Sequence, residues 1–375
     1  MRITRLLSFF AILALLSSAT ACRLSYVLHA TAGQVRLLNN SIPVEEALKA
    51  DSLGSEERAL LRLVAQVKAF GESELGLKET ENYQTVYLKS RQPPIYVVAA
   101  SPKDRLVRKT WWFPILGRMP SLGFFDEKRA RAEKERLVEK DLDVILGVAD
   151  AYSTLGWFQD PVTLNLLEGS TVDLVETILH EMTHTTLYLK DESEFNEGLA
   201  NLVGEVGAVQ FLEKTLGPAD PSTLEARKIL EDERIFSSFL ASLLQQLEQL
   251  YASPVSYEEK LAQREKVYEI SLARFAGIRN QLQTDRFIHF GTTKVNNAYL
   301  LSIGLYHRHF HLFEAILREN GNSIKETLSF LRHFAKEGGD VLKRLQDRDR
   351  LAETSRFHAR SLMDASPRTY LIVLN

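Results

Sequence analysis

The spacing of apolar positions changes along this chain, and the change separates a β-bearing first part from a helical remainder. Behind an apolar run at residues 6–16, residues 23–76 carry apolar side chains at helical spacing. These are Tyr26, Ala30, Val35, Leu37 and Leu38, then Leu60, Leu61, Leu63, Val64, Val67 and Phe70, with Gly76 as the stop. Between residues 83 and 125 the pattern shortens to β-rich runs at 85–88 and 95–99, punctuated by Pro93, Pro94, Pro102, Pro114 and Gly117; these predict strands of one sheet. The charge-dense stretch 126–141 predicts an exposed helix, and the apolar run 142–149 a buried strand. Asp160-Pro161 and Gly169-Ser170 mark turns. From residue 171 onward the period is helical, including 221–252, 256–283, 296–317 and 323–336. The predicted fold class is α+β, with a small mixed sheet in the N-terminal lobe and a helical C-terminal lobe.

Composition fits a folded chain: 45% of residues are apolar and 25% charged. No Pro/Gly/Ser-rich linker and no repeat divides it, so one domain over residues 22–375 is expected, with lobes of about 22–190 and 191–375. The first residues change the compartment. Arg2 and Arg5, the apolar run and the small residues leading to Ala21 form a secretory signal over residues 1–21, too short to span a bilayer, which needs about 20 apolar residues. Cys22, the single cysteine, stands where lipoprotein signals place the residue that is acylated, which implies export and a lipid anchor in the bacterial envelope, facing the periplasm from the outer membrane. Ala19-Thr20-Ala21 also fits plain cleavage, which would leave the protein periplasmic. One cysteine excludes an internal disulfide. Removing residues 1–21 takes away two arginines and no acid, moving the formal charge from -3 to about -5; nucleic acid is not an expected partner. The sequence carries no signature of oligomeric state.

The chemistry concentrates in His180-Glu181-Met182-Thr183-His184, on a helix expected to start at Ser170 as N-cap with Asp173 in its first turn. Histidines four apart lie about 40° apart around the axis and about 6 Å apart along it, so both imidazoles can reach one tetrahedral Zn²⁺. Glu181 stands where such sites take the proton of the attacking water. A core role for the histidines is disfavoured, because Val172, Val175, Ile178, Leu179 and Met182 form the apolar stripe and the histidines lie roughly 160° from its centre.

A third ligand follows on the next helix, at Phe195-Asn196-Glu197-Gly198-Leu199-Ala200, with Ser193 as expected N-cap. Phe195, Leu199, Leu202, Val206 and Val209 form its stripe; Glu197 points about 160° away, with Asn201 one turn further. Alone, Glu197 reads as a solvated helix-start acid. Coupled to the histidine pair, it completes a two-histidine, one-carboxylate set with one position left for water, the open arrangement of catalytic zinc. Asn201 is placed to orient Glu197 from behind.

These residues resemble the gluzincin metallopeptidases of the thermolysin and membrane-alanyl-aminopeptidase types, although the interval after His184 is shorter here. A larger part of the chain resembles a family of predicted bacterial aminopeptidases, usually lipoproteins. The similar segments are Thr110-Trp111-Trp112-Phe113-Pro114, Gly123-Phe124-Phe125, residues 151–161, the histidine motif, Phe195-Asn196-Glu197, and Asn296-Asn297-Ala298 with Tyr306 following. Members often carry cysteines where Trp112 and Arg118 stand here, a departure that touches a disulfide and not the zinc residues. The resemblance implies a zincin-like fold, one Zn²⁺ and aminopeptidase activity on a peptide substrate.

An oxyanion donor is expected from the C-terminal lobe, and Tyr306 is the candidate, matching a tyrosine of that family; a core aromatic is the other reading, with Tyr299 and His289 in reserve. His307 and His311 repeat the four-residue spacing without an acid between them, so a second metal there is a minor alternative. The expected activity is hydrolysis of a peptide bond with Glu181 as general base. The competing class is a non-catalytic zinc-containing envelope lipoprotein that binds peptides or serves structure, for which a base at Glu181 has no use.

Overall fold

The computed structural model describes residues 39–88, 95–113, 117–124, 126–149 and 161–351. The signal segment, Cys22 and the stretch 151–160 lie outside the described residues. In chain order the elements are β1 (Ile42–Pro43), α1 (Val44–Ala47), α2 (Ser55–Ser73), β2 (Thr85–Tyr87), β3 (Ile95–Pro102), β4 (Trp111–Phe113), β5 (Gly117–Met119), β6 (Leu122–Phe124), α3 (Glu127–Val138), β7 (Leu142–Ala149) and β8 (Val162–Thr163). The helices α4 (Thr171–Thr186), α5 (Ser193–Leu216), α6 (Pro221–Ala252), α7 (Tyr257–Arg279), α8 (Asn297–His307), α9 (Phe310–Glu319) and α10 (Ile324–Ala335) follow. The architecture is α+β.

The chain forms two compact units. Of the described residues, the first takes in 39–65, 80–88 and 161–168, and holds a mixed sheet in the order β1-β2-β8. There β1 runs antiparallel to β2, with Ile42 opposite Val86, and β8 parallel to it, with Val162 opposite the same residue. The second unit holds all helices from α3 onward, an antiparallel sheet in the order β6-β3-β7 and the β4–β5 hairpin. The runs at 85–88 and 95–99 therefore belong to different sheets, against the expectation of one. A strand as short as β2 carries no register information of its own, and Pro93-Pro94 between the runs supply no N–H for a continuous ladder. β7 is also more open than expected. It is the last strand of its sheet, and although Asp143 and Val144 are buried, Val148 is 58% exposed.

Helix ends follow local chemistry. The Asp126 carboxylate accepts from Arg129 N at the start of α3, and Ser170 and Asp173 form the reciprocal capping pair of α4. At α5 the expectation fails: Ser193 is the first helical residue, and Glu192 precedes it without a side-chain cap. The expected run 296–317 is two helices, because His309 leaves helical geometry (φ -108°, ψ 13°).

The helical core is aromatic where α6, α7 and α8 meet, with Phe236, Phe239, Phe275 and Phe290 in edge and tilted contacts. Beside it Asn297 holds the first turn of α8 to the sheet. Its Oδ1 accepts from the Tyr251 and Tyr268 hydroxyls (2.9 and 2.7 Å), and its Nδ2 donates to the carbonyls of Pro102, Lys103 and Arg105. Its main-chain N donates to Asp143, which Arg264 also pairs (2.8 Å). A fully satisfied buried network of this kind fixes a single arrangement, and here it fixes the helix that carries Tyr306.

Candidate metal centre

Helices α4 and α5 are antiparallel neighbours joined by a short link, and glycines on α5 let them approach closely. A Cβ on Gly204 would stand 3.0 Å from the main-chain oxygen of Glu176, and one on Gly207 2.8 Å from Leu179. The expected stripe of α4 is buried. That of α5 is only part of its contact: Val206 and Val209 are half-buried, while Gly198, Val203, Gly204, Gly207 and Ala208 are buried on other faces. A helix enclosed on most sides reads poorly as amphipathic.

Three donors converge. His180 Nε2 lies 3.1 Å from His184 Nε2 and 3.2 Å from Glu197 Oε2, and His184 Nε2 lies 3.5 Å from that oxygen. A tetrahedral ion with bonds of about 2.0–2.1 Å holds its ligand atoms about 3.3 Å apart. The three edges lie within about 0.2 Å of that spacing, so the residues fit one ion. Among the described residues, this is the one grouping of three or more potential ligands close enough to share a metal.

The environment favours the ligating form of Glu197 and the protonated form of His184. Burial raises the carboxyl of Glu197, but hydrogen bonds and charge from the two histidines outweigh it and hold the group well below the usual carboxylate range. Burial opposes charge on His184, yet Glu197, with Glu181 behind it, leaves its imidazole above the ordinary histidine value. His184 is 4% exposed, so the face opposite the apolar stripe is itself enclosed, which the helical wheel did not anticipate. Glu181 Oε2 is buried and lacks a hydrogen-bond partner among the described residues, as does His184 Nδ1.

Tyr306 reaches the centre from α8, its ring centroid 6.1 Å from that of His180. Burial first, then the charges of Glu197 and Glu181, push its hydroxyl upward, so it stays a proton donor at neutral pH. The reserves do not join it: Tyr299 packs against Phe290, and His289 is exposed. Asn201 donates to Glu205 Oε1 (3.3 Å), one turn along α5, and not to Glu197. His307 and His311 are likewise occupied elsewhere, the first by Glu233 (2.8 Å) and the second by Ser237 and Ser238 (3.0 and 2.7 Å). They share no third ligand among the described residues.

Several residues of consequence were given no role by the sequence. Asn196 and Tyr188 frame the link between the ligand helices, Asn196 bonding both main-chain groups of Leu189. Glu176, one turn before His180, and Glu205 share Arg286, whose turn is fixed by Gln283 N and Thr284 N donating to the buried Asp232. Burial, and then neighbouring acids against the pull of Arg286, raise Glu205 well above the usual range; Glu176 is raised as well, chiefly by burial. An acid on the buried side of an otherwise apolar helix was the available signal for Glu176.

The chain matches, over residues 25–346, the family model described as "Putative aminopeptidase". That span covers most of its length, and the protein belongs to this aminopeptidase family. No curated protein and no solved structure matches it.

Proposed function

We propose that the protein is a zinc-dependent peptidase of zincin type, with one ion held by His180, His184 and Glu197, acting as an aminopeptidase on peptides. The observation that carries the reading is the donor triangle with edges of 3.1, 3.2 and 3.5 Å, flanked by a buried carboxylate oxygen of Glu181 that has no hydrogen-bond partner among the described residues. Zinc bound there supplies a Lewis acid for the carbonyl and lowers the pKa of water at the open position.

The side chains divide the remaining work. Glu181 takes a proton from the attacking water as its oxygen bonds to the carbonyl carbon, and returns that proton to the amine as the C–N bond breaks. Tyr306 donates its hydroxyl proton in a hydrogen bond to the carbonyl oxygen as that oxygen gains charge. Asn201 acts through Glu205, steadying α5 next to the ligand turn, and not through Glu197. Export by the residue 1–21 signal, with Cys22 as the lipid anchor, puts this activity at the envelope.

The test compares protein lacking residues 1–22 with its Glu181→Gln variant on a mixed peptide library, measuring zinc content in both. Glu181→Gln is expected to keep one zinc per chain and lose turnover by about 10²–10⁴-fold. Equal turnover in the two would remove the mechanism, and zinc bound without turnover in either would leave a non-catalytic envelope protein.

A further inference from the structure

The link between the two ligand helices is held at two points. Asn196, 2% exposed, donates from Nδ2 to Leu189 O (2.7 Å) and accepts at Oδ1 from Leu189 N (2.8 Å). Such a reciprocal pair fixes the main chain of Leu189 on both sides of its Cα. Beyond it Asp191 adopts a left-handed φ of 65°, and its carboxylate accepts from Arg118 N.

What this clamped link presents is Tyr188. Its ring centroid lies 6.4 Å from that of His184, at an interplanar angle of 74°, and the residue is 41% exposed. Across the donor set, Tyr306 stands against His180 and is 38% exposed. Only four aromatic residues are this open among the described residues, the others being Trp112 and Tyr257, and Tyr257 is bound to Asp141. Two of the four therefore flank the histidine pair. A rigid ring left partly open to water forgoes part of the stabilisation that burying apolar surface gives, and it regains this when an apolar group covers it.

The geometry points to Tyr188 as a specificity-determining residue: its ring, set by the Asn196 clamp, receives an apolar or aromatic side chain of the residue flanking the scissile bond. This rests on the peptidase reading of the centre. It makes Asn196 a positioning residue and gives the Asn-Glu pair a division of labour, with Glu197 for the ion and Asn196 for the wall beside it.

The experiment reads binding without turnover. Zinc-loaded Glu181→Gln protein is titrated calorimetrically with tetra-alanine and with the four tetrapeptides carrying one Phe, and the series is repeated with Tyr188→Ala and Tyr188→Phe added. One Phe position is expected to bind about tenfold tighter than alanine. Tyr188→Ala should bring the peptides to within about twofold while zinc content is unchanged, and Tyr188→Phe should keep the preference. A Phe preference that survives Tyr188→Ala, no preference at all, or zinc lost with the ring overturns the assignment. Protein that shows the Tyr188-dependent preference but hydrolyses nothing as wild type retires the hydrolase reading alone.

Discussion

A methyl group on Gly204 would stand 3.0 Å from the carbonyl oxygen of Glu176 and 3.5 Å from Cβ of His180. The backbones of α4 and α5 thus nearly touch one turn from the first histidine, and this approach lets a carboxylate on α5 reach imidazoles on α4. Gly204→Val forces the helices apart, since main chain cannot yield as a flexible side chain can. It is expected to cost about 1–3 kcal/mol in urea unfolding. Zinc affinity, read by competition with a chromogenic chelator, should fall at least tenfold. Unchanged affinity would show that the donors do not depend on this contact.

On the zinc reading of the centre, the histidine pair would couple the metal to protons. In the metal-free protein His184 sits above its ordinary value, with burial opposed and outweighed by Glu197 and Glu181. A raised imidazole stabilises the fold fully below its unfolded pKa of about 6.5, and that contribution is lost as pH rises through the folded value. Zinc binding requires the neutral ring, so the ion competes with the proton at low pH and replaces its stabilising role at high pH. The rise in Tm on adding zinc should therefore be larger at pH 8 than at pH 6. In Glu197→Gln, which removes the anion holding that proton, the metal-free protein should show a weaker loss of stability over the same interval.

How far the sequence carried depends on the range of the interaction that decides each feature. The grouping of His180, His184 and Glu197 was legible because four-residue spacing stacks the two histidines on one helix face, and coupled to that pair a carboxylate turned from its own apolar stripe on the next helix stands out. The Ser170–Asp173 cap was legible for the same reason, as a contact three residues long. Strand pairing was not. Val86 is paired on one side by Ile42 and on the other by Val162, choices made far along the chain. The break between α8 and α9 was hidden too, because His309 faces a carboxylate on α5 that no local pattern announces. Asn201 illustrates the limit of the wheel, which showed its face but not that Glu205 would claim it.

Asn297 is expected to be as important to Tyr306 as to the fold. Truncation to alanine leaves the Tyr251 and Tyr268 hydroxyls and the carbonyls of Pro102, Lys103 and Arg105 without their shared partner. The carbonyls keep donors in Ser101, Val107 and Arg264, so the loss falls on the two hydroxyls; at about 1–3 kcal/mol for each buried unsatisfied group, Asn297→Ala should lose about 2 kcal/mol or more. Because α8 starts at this residue, turnover should fall while zinc content holds, as it should in Tyr306→Phe, where the expected loss is about 10²–10³ in kcat. Full activity in Tyr306→Phe would remove the hydroxyl from the mechanism and leave Asn297 a purely structural residue.

Glu194, three residues before Glu197, ties α5 to the break between α8 and α9. Its carboxylate meets His309 Nε2 at 2.8 Å and is paired by Arg108, whose guanidinium also donates to Leu301 O. Burial would raise this carboxyl, but the hydrogen bond from His309 and the charge of Arg108 outweigh it and hold the group well below the usual range. A depressed carboxyl contributes stability that is present above the unfolded value of about 4.3 and is lost as pH falls through the folded one. Glu194→Gln should therefore cost roughly 1–3 kcal/mol at pH 7, with the gap to wild type narrowing below pH of about 4. Because His309 breaks the helix to make this contact, Gln at position 194 should also raise the amide exchange of residues 308–310. A stability gap that stays constant down to pH of about 3 would mean that the carboxylate charge plays no part in holding the two helices at that corner.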